Sequence, residues 1–174
     1  MDTTAIRDYD TVIAVYNDFT NAEAAITDLI NDGFDRQYLS LIAHDKDDRY
    51  STYIRQLQEE NDDPDSEDGA GFGAVVGTLT GLGVALIPGL GGFVVTGLAG
   101  AALFAGIGAV TGAGTGGLVA GMVDLGVDEG DAEHYSDVLR NGGAMVVAHV
   151  DGTWEDKAES IMHRHNPVEV EEIN

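Results

Sequence analysis

Apolar and polar positions alternate between two textures along this chain. Residues 11–17, TVIAVYN, form an apolar, β-branched run with polar flanks, which predicts a strand. In the following TNAEAAITDLINDGF, Ala22, Ala25, Ile26, Leu29 and Ile30 recur at helical spacing and predict an amphipathic helix. Thr20 and Glu23 fit a capping box at its start, and Gly33 supplies a left-handed stop. YLSLIAH, residues 38–44, predicts a second strand, and RYSTYIRQLQEE, residues 49–60, a short helix.

The end of the chain repeats this plan. AMVVAHV, residues 144–150, predicts a strand. Thr153 and Asp156 open a helix whose Trp154, Ala158, Ile161, Met162 and His165 share a face, and Pro167 stops it. VEVEE then alternates like a half-buried edge strand. A shift of 133 positions aligns Asp18 with Asp151, Thr20 with Thr153, Glu23 with Asp156, Ala25 with Ala158 and Leu29 with Met162, a weak internal repeat. Two β-α-β units that pack together predict an α+β fold, a ferredoxin-like sandwich. DEGDAEHYSDVLRNGG predicts a further helix, capped by Asp128, with Ala132, Tyr135, Val138 and Leu139 inward and Gly142 at its end.

The second texture lies between the halves. Every residue from Ala70 to Met122 is apolar, glycine, proline or threonine, and no charge occurs over residues 69–123. Gly73, Gly77 and Gly81 lie four apart, as do Gly108, Gly112 and Gly116, and Gly117 with Gly121. That spacing lines small residues along one helix face and lets backbones approach. Both flanks must return to one sheet, so the segment predicts a glycine-zipper helical hairpin, reversing in IPGLGG at Pro88 and Gly89. A first arm over residues 70–87 would be roughly 27 Å long, near the roughly 30 Å of a bilayer core. The second arm, residues 93–123, is too long for one straight pass and predicts a break near Gly97 or Gly100. The resulting organisation is 1–58, first half of the α/β domain; 59–68, acidic linker; 69–123, hairpin; 124–174, second half.

Charge sharpens this picture. The chain has 31 acidic and 8 basic residues, for a formal net charge of −23, and only Lys46 and Lys157 are lysines. Such a surface repels nucleic acid and gains nothing from anionic lipid headgroups. Its acidity resembles proteins from salt-loving organisms, where charge serves solvation. The absence of cysteine excludes disulfides and thiolate chemistry. MDTTAIRDYD lacks the basic and apolar run of a signal peptide, which predicts a cytoplasmic location.

Candidate chemistry is sparse. Gly112, Gly114 and Gly117 spell G-x-G-x-x-G but sit inside an apolar arm rather than after a strand, which predicts packing. DPDSEDG has the Asp63, Asp65 and Glu67 of a calcium loop, but Asp68 and Ala74 stand where glycine and glutamate are required. It reads as a solvated linker. His163 and His165 diverge on a helix, and His44, His134 and His149 lack a matched second ligand. Glu133, His134 and Tyr135 could line a pocket beside the sheet, and no serine sits in a nucleophile elbow. No catalytic residue, metal site or cofactor is expected.

The order of these elements resembles one known family. A strand and helix (TVIAVYNDFTNAEAAITDLINDGFDRQYLSLIA) precede a Gly-rich segment with a Pro-Gly turn. LGVDEGDAEHYSDVLRNGGAMVVAHV follows, with its Arg140-Asn141-Gly142-Gly143 turn. Over nearly its whole length the chain is similar to the general stress protein 17M/YflT-like family. The resemblance implies a stress-linked protein without enzymatic role and carries over no catalytic residues. The expectation is a non-enzymatic protein that self-associates into a homo-oligomer and contacts or enters a lipid bilayer through residues 69–123. It would sit at the cytoplasmic face of the membrane or in the cytoplasm as a large oligomer. Two alternatives stand beside it: a soluble shell-like assembly with buried hairpins, and a small-ligand sensor.

Overall fold

A computed structural model describes residues 10–44, 84–87, 93–96 and 115–173. The chain is an α+β protein. Its elements are β1 (Asp10–Tyr16), α1 (Phe19–Asn31), a 3-10 turn (Arg36–Tyr38), β2 (Leu39–His44), β3 (Val84–Ile87) and β4 (Phe93–Thr96). There follow α2 (Thr115–Leu125), α3 (Glu129–Arg140), β5 (Ala144–Val150), α4 (Glu155–His163) and β6 (Glu169–Ile173). One sheet runs in the order β3-β4-β2-β5-β1-β6, and every neighbouring pair is antiparallel. β1 and β2 both pair with β5, so they run parallel to each other across α1. β5 and β6 do the same across α4, because both pair with β1.

The strands alternate between two cores. Val12, Ala14 and Tyr16 face α1 and α4, together with Leu39, Leu41, Val146 and Ala148. Ile13 and Val15 face α2 and α3, with Ile42, Met145 and Val147. Helices therefore cover both sides of the central strands, which explains why VIAVY and MVVA are continuous apolar runs rather than alternating ones. Each fully buried Ile, Val or Leu contributes about 1.5–3 kcal/mol to holding the layers together. The Tyr16 hydroxyl crosses the first core to donate to the Met162 carbonyl at 3.1 Å, and burial raises its pKa well above the usual tyrosine value.

Helix ends follow local chemistry. Asp18, rather than Thr20, caps α1, its carboxylate accepting from the Asn21 N–H at 2.9 Å. Its repeat partner Asp151 stands before α4 and accepts from the Thr153 N–H at 3.1 Å, while Trp154 at the cap position makes no side-chain capping bond. The Asp18–Asp151 correspondence is thus structurally meaningful, as are Ala25–Ala158 and Leu29–Met162, all four of which are buried in the first core. Asp128 caps α3 as the sequence predicts, accepting from Gly130 N–H at 2.9 Å. α1, α2 and α3 all end in the same paired turn, for example Gly142 N–H to Leu139 O at 3.1 Å with Gly143 N–H to Val138 O at 3.0 Å. Gly142 has φ +101°, and a Cβ on Gly143 would lie 2.5 Å from the Tyr16 carbonyl oxygen. Neither position tolerates a side chain without backbone movement.

The uncharged segment departs from its predicted form. Val84–Ile87 and Phe93–Thr96 are strands, where the sequence reading places helical arms. FVVT is wholly β-branched or aromatic and VALI is half β-branched, and pairing β4 with β2 satisfies backbone groups that a glycine-rich helix would satisfy only at a cost in entropy. The chain still reverses between residues 87 and 93. α2 crosses the predicted boundary at residues 123/124 and docks Leu118 and Met122, both fully buried, in the second core. Among the described residues no helix is long and apolar enough to cross a membrane. Predicted helix 49–60 and linker 59–68 lie outside the described residues.

Candidate functional site

Gly73, Gly77, Gly81, Gly108 and Gly112, with the turn residues Pro88 and Gly89, lie outside the described residues. Gly116, Gly117 and Gly121 are in α2, and Gly121 is buried. Only the C-terminal part of the expected glycine series is therefore placed, and it belongs to a helix seated on the chain's own sheet.

The two ends of the sheet differ. β6, EVEEI, closes one edge and carries three glutamates in five residues. Charged edge strands resist pairing with other chains. Glu171 accepts from the Tyr135 hydroxyl at 3.2 Å, and burial raises the pKa of both groups. Glu172 meets Asp156 and Glu159, three carboxylates within 4.8 Å of one another. Among the described residues β3, VALI, is the outermost strand at the other edge, and it carries no charge.

A groove runs between α2 and α3. Leu118 and Met122 turn α2 onto the sheet, which leaves Ala120 and Val123 exposed on its outer side and Val119 half-buried at the margin of the second core. Ala132, Tyr135 and Leu139 do the same for α3, leaving Glu129, Glu133 and Asp137 one turn apart on a single stripe. The two stripes enclose about 670 Å³. Ser136, buried at its base, accepts from Arg140 Nε at 3.2 Å. Of the expected pocket trio, Glu133 lines this groove, Tyr135 is buried beneath it, and His134 is exposed. The signal for the acidic stripe was present in the four-residue spacing of its carboxylates.

Cations gather elsewhere. Lys157 Nζ donates to the Asp32 carbonyl at 2.8 Å and lies 4.6 Å from the centre of the Trp154 ring. Arg164 reaches the Asp32 carboxylate at 3.5 Å, and His165 Nε2 lies 3.0 Å from Asp28. His163 pairs with Glu159 at 3.3 Å, so the two histidines of α4's end have separate partners, as their predicted divergence requires. A cavity of about 240 Å³ lies among Gly33, Phe34, Tyr38, Val150 and Trp154. His149 is buried in the sheet with Nδ1 2.9 Å from the Thr11 hydroxyl oxygen. Its Nε2 has no hydrogen-bond partner, and burial lowers its pKa.

No protein-family model, curated protein or solved structure matches the chain.

Proposed function

We propose that this chain is a non-enzymatic, stress-type protein that acts by self-association through its uncharged segment, built on a ferredoxin-like core. The core reading is supported by the two parallel β-α-β units and the strand order β2-β5-β1-β6. The stress-type reading is supported by the residue order set out under Sequence analysis. One observation carries self-association: among the described residues an uncharged strand, β3, ends a sheet whose opposite edge is guarded by glutamates. Copies that carry −23 each repel one another over most of their surface. An uncharged edge is where two copies can approach, and antiparallel β3–β3 pairing about a two-fold axis would join their sheets.

Adjacent residues of an antiparallel strand send their N–H groups to opposite sides. Of Ala85→Pro and Leu86→Pro, one therefore removes an outward donor and the other disturbs the ladder to β4. Light scattering at high salt should give an oligomer for the parent chain and a smaller mass for the outward variant. A monomeric parent, or a mass unchanged in both variants, would count against the proposal. Gly77→Leu and Gly112→Leu test whether the glycine series joins the same contact. Contact with a lipid bilayer is a second reading, favoured by the 55 uncharged residues from 69 to 123. Flotation of the intact chain with neutral phosphatidylcholine vesicles supports it, and recovery of the lipid-free oligomer alone opposes it.

A further inference from the structure

We infer that the α2–α3 groove is a docking site for a cationic amphipathic helix of a partner protein. The inference does not rest on self-association, because the groove and β3 are separate features. One wall is apolar, formed by Val119, Ala120 and Val123, and Val123 is the most exposed large hydrophobic residue among those described, at 41%. The other wall is acidic, with Glu129, Glu133 and Asp137 in line. Carboxylates at successive helical turns stand about 6 Å apart, the same repeat at which a docked helix would present Lys or Arg. Like charges at this spacing destabilise α3, so an arriving cation relieves a cost already present in the free protein. An apolar stripe flanked by a single-sign stripe is the complement of an amphipathic helix of opposite charge. A second copy is a poor occupant, since its own surface is acidic.

Among the described residues, no cation answers these carboxylates. Arg140, at the end of α3, gives its Nε to Ser136 rather than to Asp137. Lys157, Arg164 and His165 are engaged at Asp28 and Asp32 beside α1.

The test uses the full-length chain and a labelled Leu/Lys peptide with leucines at i, i+3, i+4 and i+7, beside a shuffled peptide of equal composition. Physiological salt limits attraction from the net charge to about 8 Å. The amphipathic peptide should bind and the shuffled one should not. Substituting Glu129→Gln, Glu133→Gln and Asp137→Asn together should weaken binding by about tenfold or more. The same charge removed at Asp63→Asn, Asp65→Asn and Glu67→Gln should leave affinity unchanged. Val123→Asp, a surface change, should weaken binding with the melting temperature retained. Equal binding of the two peptides, or equal weakening by the two triple variants, would overturn the inference. Full displacement of the peptide by an equimolar linear polyamine would overturn it in favour of a small cation. A mass that doubles with concentration and reverts in Glu133→Lys would overturn it in favour of a second copy.

Discussion

The two helical layers of this molecule handle charge in opposite ways. On one side of the sheet, α4 lends Lys157, Arg164 and His165 to Asp28 and Asp32 at the end of α1. On the other side, Glu129, Glu133 and Asp137 face an apolar wall, and no cation among the described residues stands between them. In a chain with 8 basic residues against 31 acidic ones, the placement of each cation is informative. The α1–α4 contact joins the two β-α-β units and is closed by the chain itself. The α2–α3 layer is anchored by apolar burial and the Tyr135–Glu171 hydrogen bond, and among the described residues its outward acids have no cation partner.

Truncation of the apolar anchors should give the largest effect. Leu118→Ala or Met122→Ala should cost about 2–4 kcal/mol in chemical denaturation, because both side chains are fully buried beneath α2. Val123→Ala, on the same helix but exposed, should change stability by less than about 0.5 kcal/mol. Equal effects would mean that α2 does not seat on the sheet as described.

A pH titration comes next. His149 has its pKa lowered by burial, so the unfolded chain takes up a proton below about pH 6.5 while the native chain does not. Stability from this group is full above that pH and declines as pH falls toward the native value. Glu171, with its pKa raised chiefly by burial, acts in the opposite sense: the native chain protonates first and gains stability just above pH 4.5. His149→Gln should flatten the decline below about pH 6.5 without altering the lower window. An unchanged profile would place the titration elsewhere.

Charge variants should have the smallest effects and should separate the layers by sign. Lys157→Met should lose about 0.5–1 kcal/mol, because its ammonium is half-exposed and its bonds are screened. Glu133→Gln should be neutral or slightly stabilising, by up to about 0.5 kcal/mol, since it relieves like-charge crowding on α3. Added salt should narrow the first loss and the second gain alike. Loss of stability in Glu133→Gln would contradict the contrast.

The strands β2-β5-β1-β6 and the helices α1, α3 and α4 were legible from residue pattern, and the reasons for the misses are local. β1, β2, β5 and β6 each announce themselves by β-branched runs or alternation, and α1, α3 and α4 by spaced apolar faces. What the pattern also held, in the unbroken apolar character of VIAVY and MVVA, was a second helical layer. The regular glycine spacing predicts one helical hairpin, whereas VALI and FVVT carry strand-forming residues and pair with each other. Leu118 and Met122 look like the rest of the uncharged segment, and only their burial identifies them as core. The sequence reading puts the cap at Thr20, in a capping box with Glu23. The carboxylate one step before Phe19 sits where the free N–H groups point. The acidic groove needed two helices to meet, and no periodicity within α3 alone foretells its apolar wall.

Trp154 is the chain's single tryptophan. It sits edge-on to Phe34, with ring centres 5.0 Å apart, beneath the ammonium of Lys157. The indole therefore sits where the loop after α1 meets the start of α4. Its ultraviolet emission is an intrinsic gauge of that packing, readable without any added label.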